Sequence, residues 1–180
     1  MKKRNFLILL LCISSFSLIR CKEDTPAIEY KQQGSIKGTV SGTSYDNETE
    51  FTESFSFSRY APSQVEFYPG FETYEDGGIY LYGYRYDVFT NSYLSVEIYM
   101  DDENADPELY DFEFWFYKET KEIFVFGMDD ENDISVTNYS FDLETGRLKF
   151  NIEVEGTDNT TGNNASLEAT VDIVLKRWIY

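Results

Sequence analysis

From Gly34 onward, apolar residues recur at every second position, and this period of two constrains the fold more than any other feature of the chain. Leu94, Val96 and Ile98, for example, alternate with polar or aromatic neighbours. Successive side chains on a β-strand point to opposite faces, so the pattern predicts strands with one buried face. No segment after Gly34 shows the period of a helix. The sequence therefore predicts an all-β domain.

The alternating runs number about ten and are joined mostly by short polar turns. Asp142–Arg147 fits a hairpin in which Gly146 takes the left-handed conformation, and Lys118–Lys121 fits a second tight turn. Short, regularly spaced strands predict a single antiparallel β-sandwich or barrel. Because consecutive strands usually pair, we expect largely a meander, with Val65–Phe67 as its third strand.

In a meander, successive connections alternate between the two ends of the domain. One end would then receive the acidic segments Asp101–Glu108 and Asp129–Asp133. The other end would receive the start of the first strand and the shorter connections Asp87–Ser92 and Leu143–Arg147. We therefore expect a strongly acidic end and, opposite it, a less acidic end at which the chain enters the domain.

The first two dozen residues predict a subcellular location. Basic Met1–Arg4 precedes the apolar run Phe6–Ile13, which is too short to span a bilayer and is typical of a signal peptide. Leu18-Ile19-Arg20-Cys21 resembles a bacterial lipoprotein signal, with Arg20 where the pattern has a small residue. Lys22-Glu23-Asp24 is similar to the surface-export signal of Bacteroidota lipoproteins. The resemblance implies acylation of Cys21 and a lipid-anchored position at the outer membrane, exposed at the cell surface.

These features divide the chain into three parts. Residues 1–20 are the predicted cleaved signal peptide, residues 21–33 the acylated cysteine with a flexible tether, and residues 34–180 the antiparallel β domain. Alternatively, the chain is secreted by cleavage after Ser17, which would leave Cys21 as a free thiol.

Composition excludes several classes of function. Four of the 15 basic residues precede Cys21, so the mature chain would carry 11 basic and 33 acidic residues, a net charge of −22. Such a chain repels phosphate backbones, so we expect no nucleic-acid partner. The absence of histidine excludes His-dependent catalysis and His-ligated metals. We expect no enzyme and no cofactor, with Ca²⁺ as the one ion to consider.

An acidic sequence is repeated. Met100-Asp101-Asp102-Glu103-Asn104 recurs as Met128-Asp129-Asp130-Glu131-Asn132, at the same predicted end of the domain. Clustered carboxylate and amide oxygens are ligands that Ca²⁺ prefers, although the spacing is not that of an EF-hand. Alternatively, these are solvated loops that keep the protein soluble. The candidate ligands are Asp101, Asp102, Asp129 and Asp130.

A second candidate site is an aromatic sheet face. If Leu81, Val96 and Phe114 point inward, alternation turns a set of rings and carboxylates outward on three successive strands. A tight turn at Lys118–Lys121 would extend this face onto Phe124 and Phe126. The candidate ligand-binding residues are Tyr82, Tyr84, Glu97, Tyr99, Glu113, Trp115 and Tyr117.

Several functions fit that face. Rings beside carboxylates are typical of sugar-binding platforms, because rings stack on pyranoses and carboxylates accept hydroxyl hydrogen bonds. The leading hypothesis is therefore non-catalytic binding of a glycan or another extracellular ligand, with or without the assistance of Ca²⁺. An alternative is a structural or accessory subunit of a cell-envelope complex, since Tyr and Trp are enriched at protein interfaces. The rings could instead be covered by another part of the domain. A carboxylate-dependent hydrolase using Glu97 and Glu113 is the most distant alternative.

Overall fold

The computed structural model describes residues 33–43, 49–59, 69–118, 121–127, 132–159 and 161–178, with backbone alone for residues 118 and 121–125. The predicted signal peptide, Cys21 and residues 22–32 lie outside this part. The described part holds no helix that is long and apolar enough to cross a membrane. The strands are β1 Gly34–Thr43, β2 Glu50–Phe57, β3 Gly70–Thr73, β4 Ile79–Tyr86, β5 Tyr93–Met100, β6 Glu108–Lys118, β7 Lys121–Gly127, β8 Asp133–Asp142, β9 Arg147–Thr157, β10 Asn164–Val174 and β11 Lys176–Arg177.

The strands form two sheets that pack face to face. The five-stranded sheet has the order β2-β1-β10-β9-β8, and the six-stranded sheet has the order β11-β3-β4-β5-β6-β7. Neighbouring strands are antiparallel except β11, which pairs with β3 in parallel over two residues. The predicted all-β antiparallel fold is confirmed, and the two packed sheets make it a sandwich.

The predicted meander holds within each sheet. Strands β3 to β7 follow one another across the six-stranded sheet, as do β8 to β10 across the five-stranded sheet. Two strands depart from the meander: β11 lies beside β3, and β1 lies beside β10 with Ile36 opposite Val171, so the first long strand pairs with the last long one. The predicted strand Val65–Phe67 lies outside the described residues. The third strand observed begins later, at Gly70.

The core fills the space between the sheets with the inward residues of both. Leu81, Val96 and Phe114 are all buried, as the alternation predicted. Phe55 of β2 packs on Phe114 of β6 with ring centroids 5.1 Å apart, which joins the two sheets. Burying aromatic side chains of this size supplies much of the hydrophobic stabilisation of a domain that has no described disulfide.

The predicted turn at Asp142–Arg147 is confirmed. Gly146 has a φ of 68°, in the left-handed region that favours glycine, and its amide donates to the carbonyl of Asp142 at 2.7 Å. The Asp142 carboxylate also accepts hydrogen bonds from the amides of Glu144 and Thr145. These bonds hold the pKa of Asp142 below its ordinary value. The turn is thus fixed by local chemistry that the sequence makes visible.

Arg85 marks the end of the sandwich at which the chain enters. It is an inward residue of β4 and only 1% exposed. Its guanidinium donates to the carbonyl of Gln33, just before β1, at 2.8 Å, and to the carbonyl of Tyr84 at 2.7 Å. A longer bond of 3.5 Å reaches the carbonyl of Val174 at the end of β10. Arg85 therefore ties the six-stranded sheet to the first and tenth strands of the other sheet.

Candidate ligand-binding face

Strand β4 shows how the pleat builds the face. Its residues alternate strictly between buried and partly exposed, with Ile79, Leu81 and Arg85 inward. The outward residues of the strand are all tyrosines. They are Tyr80, Tyr82, Tyr84 and Tyr86.

Strand register carries this face onto β5 and β6. Tyr82 lies opposite Glu97, and Tyr86 lies opposite Tyr93. Tyr93 in turn lies opposite Trp115 of β6. Residues directly opposite on antiparallel strands have neighbouring side chains, so rings from three strands meet on one surface.

Five of these rings form a continuous surface, which we call the aromatic strip: Tyr82, Tyr84, Tyr93, Trp115 and Tyr117. Ring centroids are 6.4 Å apart for Tyr82 and Tyr84, and 5.4 Å apart for Tyr84 and Tyr93. Tyr93 and Trp115 are 6.0 Å apart and almost parallel, at 16°. Trp115 and Tyr117 are 6.1 Å apart. Neighbouring rings are stacked or tilted against one another, and each keeps part of its surface in solvent.

The strip brings together four of the seven predicted binding residues, and two more, Glu97 and Glu113, lie beside it. Glu113 is exposed and accepts a hydrogen bond from the hydroxyl of Tyr93 at 3.0 Å. Glu97 is partly buried between strands and is hydrogen-bonded to Tyr80. The register also places Asp111 opposite Glu97. The strip is thus bordered by carboxylates, as a face that binds hydroxyl-rich ligands would be.

Tyr99, the seventh predicted residue, lies apart from the strip. Its ring is 6.5 Å from that of Tyr74, which follows β3, and the hydroxyl of Tyr74 donates to Glu72 at 2.6 Å. The sequence analysis missed Tyr74 because the residue lies in a turn rather than in an alternating run. Together, Tyr74, Tyr80 and Tyr99 form a smaller aromatic group toward the acidic end.

Trp178 is a second residue that the sequence analysis missed. Its amide donates to the carbonyl of Phe71 at 2.8 Å, and its ring lies 6.0 Å from that of Tyr80. The indole lies directly over Gly70, where a Cβ would collide with it. Glycine is therefore required at position 70 for Trp178 to cover this edge of the sheet.

The predicted extension onto Phe126 is wrong. Phe126 is buried and packs on Phe114 at 6.2 Å, so it belongs to the core. The register between β6 and β7 shifts between Phe116 and Tyr117, and a shift of one residue reverses which face a side chain occupies. The side chain of Phe124 lies outside the described part.

Burial extends the neutral form of the face's tyrosines, which is already the form at neutral pH, to higher pH. Burial, followed by the charges of neighbouring groups, raises the pKa of Tyr82 and Tyr93 above the ordinary value of 10.0. Burial, and then the neighbouring Tyr86 and Glu113, raise the pKa of Tyr84 to about 12. At neutral pH the face therefore presents hydroxyl donors rather than phenolates.

The predicted Ca²⁺ ligands are only partly described. Asp101 and Asp102 are exposed, and the Asp102 carboxylate accepts the amide of Asn104 at 2.7 Å within its own turn. Asp129 and Asp130 lie outside the described residues. Across residues with described side chains, no group of three or more acidic, histidine or cysteine side chains is arranged to hold a metal ion.

Searches against protein-family models, curated proteins and solved structures return no match to this chain. The function must therefore be argued from the face itself.

Proposed function

We propose that this chain is a lipid-anchored, surface-exposed lipoprotein of the outer membrane and that its β-sandwich binds glycans non-catalytically on the aromatic strip. The observation that carries the proposal is the strip: five rings, each in contact with the next, partly exposed, on the outer face of the six-stranded sheet. The exposed parts of their π faces can pack against the C–H groups of a pyranose.

The carboxylates beside the strip narrow the ligand class. Glu97, Asp111 and Glu113 can accept hydrogen bonds from sugar hydroxyls, and the neutral tyrosines can donate them. The same negative charges repel uronic acids and sulfated sugars, an effect that the overall net charge of the chain reinforces. We therefore propose a neutral or cationic glycan as the ligand. This binding would occur with or without the assistance of Ca²⁺ held by the acidic loops.

A binding experiment on residues 22–180 tests this proposal. The thermal midpoint of unfolding would be measured with cellohexaose, xylohexaose, mannohexaose and chitohexaose, each with and without Ca²⁺, and with trigalacturonate as the anionic comparison. A ligand that binds only the native state must raise the midpoint. We expect a rise with at least one neutral hexaose and none with trigalacturonate. No rise with any sugar would remove the glycan proposal.

Two matched variants locate the binding. Trp115→Ala removes the largest ring of the strip, whereas Thr170→Ala changes an exposed residue of the five-stranded sheet. We expect Trp115→Ala to abolish the rise and Thr170→Ala to preserve it. The opposite pattern would assign binding to the other sheet.

The anchor is tested separately. Replacing Cys21 by Ser removes the acylated sulfur while leaving the domain unchanged. We expect the variant to leave the membrane fraction and the parent to stay in it. Equal fractionation of the two would show that acylation of Cys21 does not hold the protein there.

A second function is favoured by rings that lie beyond the strip. Tyr74 is 44% exposed and Tyr110 is 69% exposed, which is unusual for side chains of this size. Exposed tyrosines are enriched at protein interfaces, as an accessory subunit of a cell-envelope complex would require. If every sugar fails while crosslinks placed at Tyr110 capture one envelope protein in cells, this second function replaces the first.

A further inference from the structure

The turn between β4 and β5 presents an apolar tip to solvent. Val88 is 41% exposed, and Phe89, the most exposed large apolar side chain among the described residues, is 85% exposed. A single exposed ring is common on protein surfaces. Two adjacent apolar side chains at the very end of a hairpin form a more specific feature.

The tip is held in place by the turn itself. The Asp87 amide donates to the carbonyl of Ser92 at 2.8 Å, and the Asp87 carboxylate accepts the amide of Phe89 at 2.9 Å. Asn91, in the left-handed region at φ 61°, donates its amide to the carbonyl of Asp87. Ser92 then links the turn to β6, because its hydroxyl accepts the amide of Tyr117 at 2.8 Å. With the turn so fixed, the apolar tip stays directed outward.

The tip lies at the end of the sandwich where the chain enters. Arg85, two residues before Asp87, binds the carbonyl of Gln33 at 2.8 Å, and Tyr86 pairs with Arg59. Twelve residue steps separate Cys21 from Gln33. Fully extended, they reach about 40 Å, so an acyl group on Cys21 would keep the entry end within that distance of the lipid.

The opposite end has the reverse character. The connection between β5 and β6 carries exposed carboxylates at Asp101, Asp102, Glu103 and Asp106. These groups would have to leave water to contact a bilayer, which is costly. The entry end alone combines an apolar tip with proximity to the tether, among the described turns.

We propose that Val88 and Phe89 insert into the interfacial region of the lipid bilayer as a second membrane contact, so that the anchored sandwich stands on its entry end. This inference rests on the proposed acylation of Cys21, because two exposed apolar side chains bind a membrane weakly by themselves. The contact would direct the acidic end away from the lipid and place the aromatic strip, which crosses β4 to β6 beside this turn, near the membrane surface.

Site-specific quenching tests the contact. The full acylated chain is placed in phosphatidylethanolamine–phosphatidylglycerol vesicles that contain a lipid with a nitroxide just below its headgroup. Phe89→Cys and Asp106→Cys each receive the same fluorophore, since acylation blocks the sulfur of Cys21. We expect several-fold stronger quenching at position 89 than at position 106. Equal quenching at the two positions, or stronger quenching at position 106, would overturn the proposal.

Two further comparisons separate the other causes of quenching. A label on Val88→Cys should lose most of its quenching when Phe89→Ser is added; unchanged quenching would mean that the label, rather than the phenylalanine, enters the lipid. If the wild-type chain does not sediment with vesicles, the anchor proposal fails and this inference fails with it. If the chain sediments but position 89 is quenched no more than position 106, only this inference fails.

Discussion

The outer faces of the two sheets differ in chemistry although their inner faces are alike. Outside, the five-stranded sheet carries short polar and charged side chains: Ser41 and Thr52 share a hydrogen bond of 2.9 Å, and Arg147 binds both carboxylate oxygens of Asp172 at 2.9 Å. The six-stranded sheet carries the aromatic strip there instead. Both sheets turn apolar residues toward the common core.

This difference distinguishes the side chains that the fold requires from those that it does not require. A sandwich requires alternation and an apolar inner face, and the polar outer face shows that this chain can meet the requirement without aromatic residues outside. Exposed aromatic surface favours association with other molecules. The requirements of the fold therefore do not explain why rings are concentrated on this outer face. The comparison therefore supports the proposal that the six-stranded sheet carries the binding function.

The largest expected contrast is between two adjacent residues of β6. Phe114→Ala removes a fully buried ring from the core and should lower the free energy of unfolding by about 4 kcal/mol. Trp115→Ala removes a half-buried ring of the strip and should cost about 2 kcal/mol, since its ring-to-ring contacts and part of its burial are lost. Urea unfolding of both variants measures the two values. A larger loss for Trp115→Ala than for Phe114→Ala would mean that the strip is part of the core.

The next contrast is between two arginines, one from each sheet. Arg85→Met removes a buried donor to the carbonyls of Gln33 and Tyr84 and should destabilise the domain by about 3 kcal/mol. Arg147→Met breaks an exposed pair with Asp172 and should change stability much less. Equal effects on the urea midpoint would show that Arg85 does not join the sheets.

A smaller effect concerns the charge beside the strip. Glu97→Gln should reduce affinity for a neutral hexaose only a few-fold, because an amide still accepts hydrogen bonds, while relieving the repulsion of trigalacturonate. Glu168→Gln, an exposed residue of β10, is the matched control. Titration calorimetry with both sugars measures the change. If Glu168→Gln alters discrimination as much as Glu97→Gln does, long-range charge rather than the face sets specificity.

The smallest effects are expected in the pH dependence of stability, where the two faces respond at opposite extremes. The pKa of Tyr84 is raised, so its contribution is complete below about pH 10 and is lost as the pH rises toward 12. The pKa of Asp172 is lowered from its ordinary value of 3.8, chiefly by its hydrogen bond to Arg147. Its contribution to stability is therefore present above about pH 3.8 and is lost as the pH falls through the lower pKa of the folded state. Unfolding curves of Tyr84→Phe and Asp172→Asn should flatten the alkaline and the acid slope respectively. Flattening of the acid slope by Tyr84→Phe, or of the alkaline slope by Asp172→Asn, would contradict these assignments.

Much of the architecture is predictable because it follows from local rules. Alternation alone places Leu81, Val96 and Phe114 inward, and it places Tyr82, Tyr84, Trp115 and Tyr117 on one outer face. The Asp142–Arg147 turn follows from the position of one glycine. In each case the interaction that decides the structure lies within a few residues of sequence.

The remainder depends on contacts between distant parts of the chain. Nothing local indicates that β1 lies beside β10, or that Trp178 crosses Gly70 to reach Tyr80. The error at Phe126 has a different origin, since the register shift after Phe116 comes from a bulge that alternation cannot reveal. Period-two patterns predict faces reliably only as far as the next bulge.

The most direct test of glycan binding by the aromatic strip is to map the contact surface on the wild-type domain. Backbone amide chemical shifts of isotopically labelled residues 22–180 would be followed by NMR as the tightest-binding hexaose of the panel is added. The account predicts that the largest changes fall on β4, β5 and β6, centred on Tyr84, Tyr93 and Trp115, with β1, β9 and β10 unchanged. Changes centred on the five-stranded sheet would contradict the assignment of the aromatic strip as the binding surface.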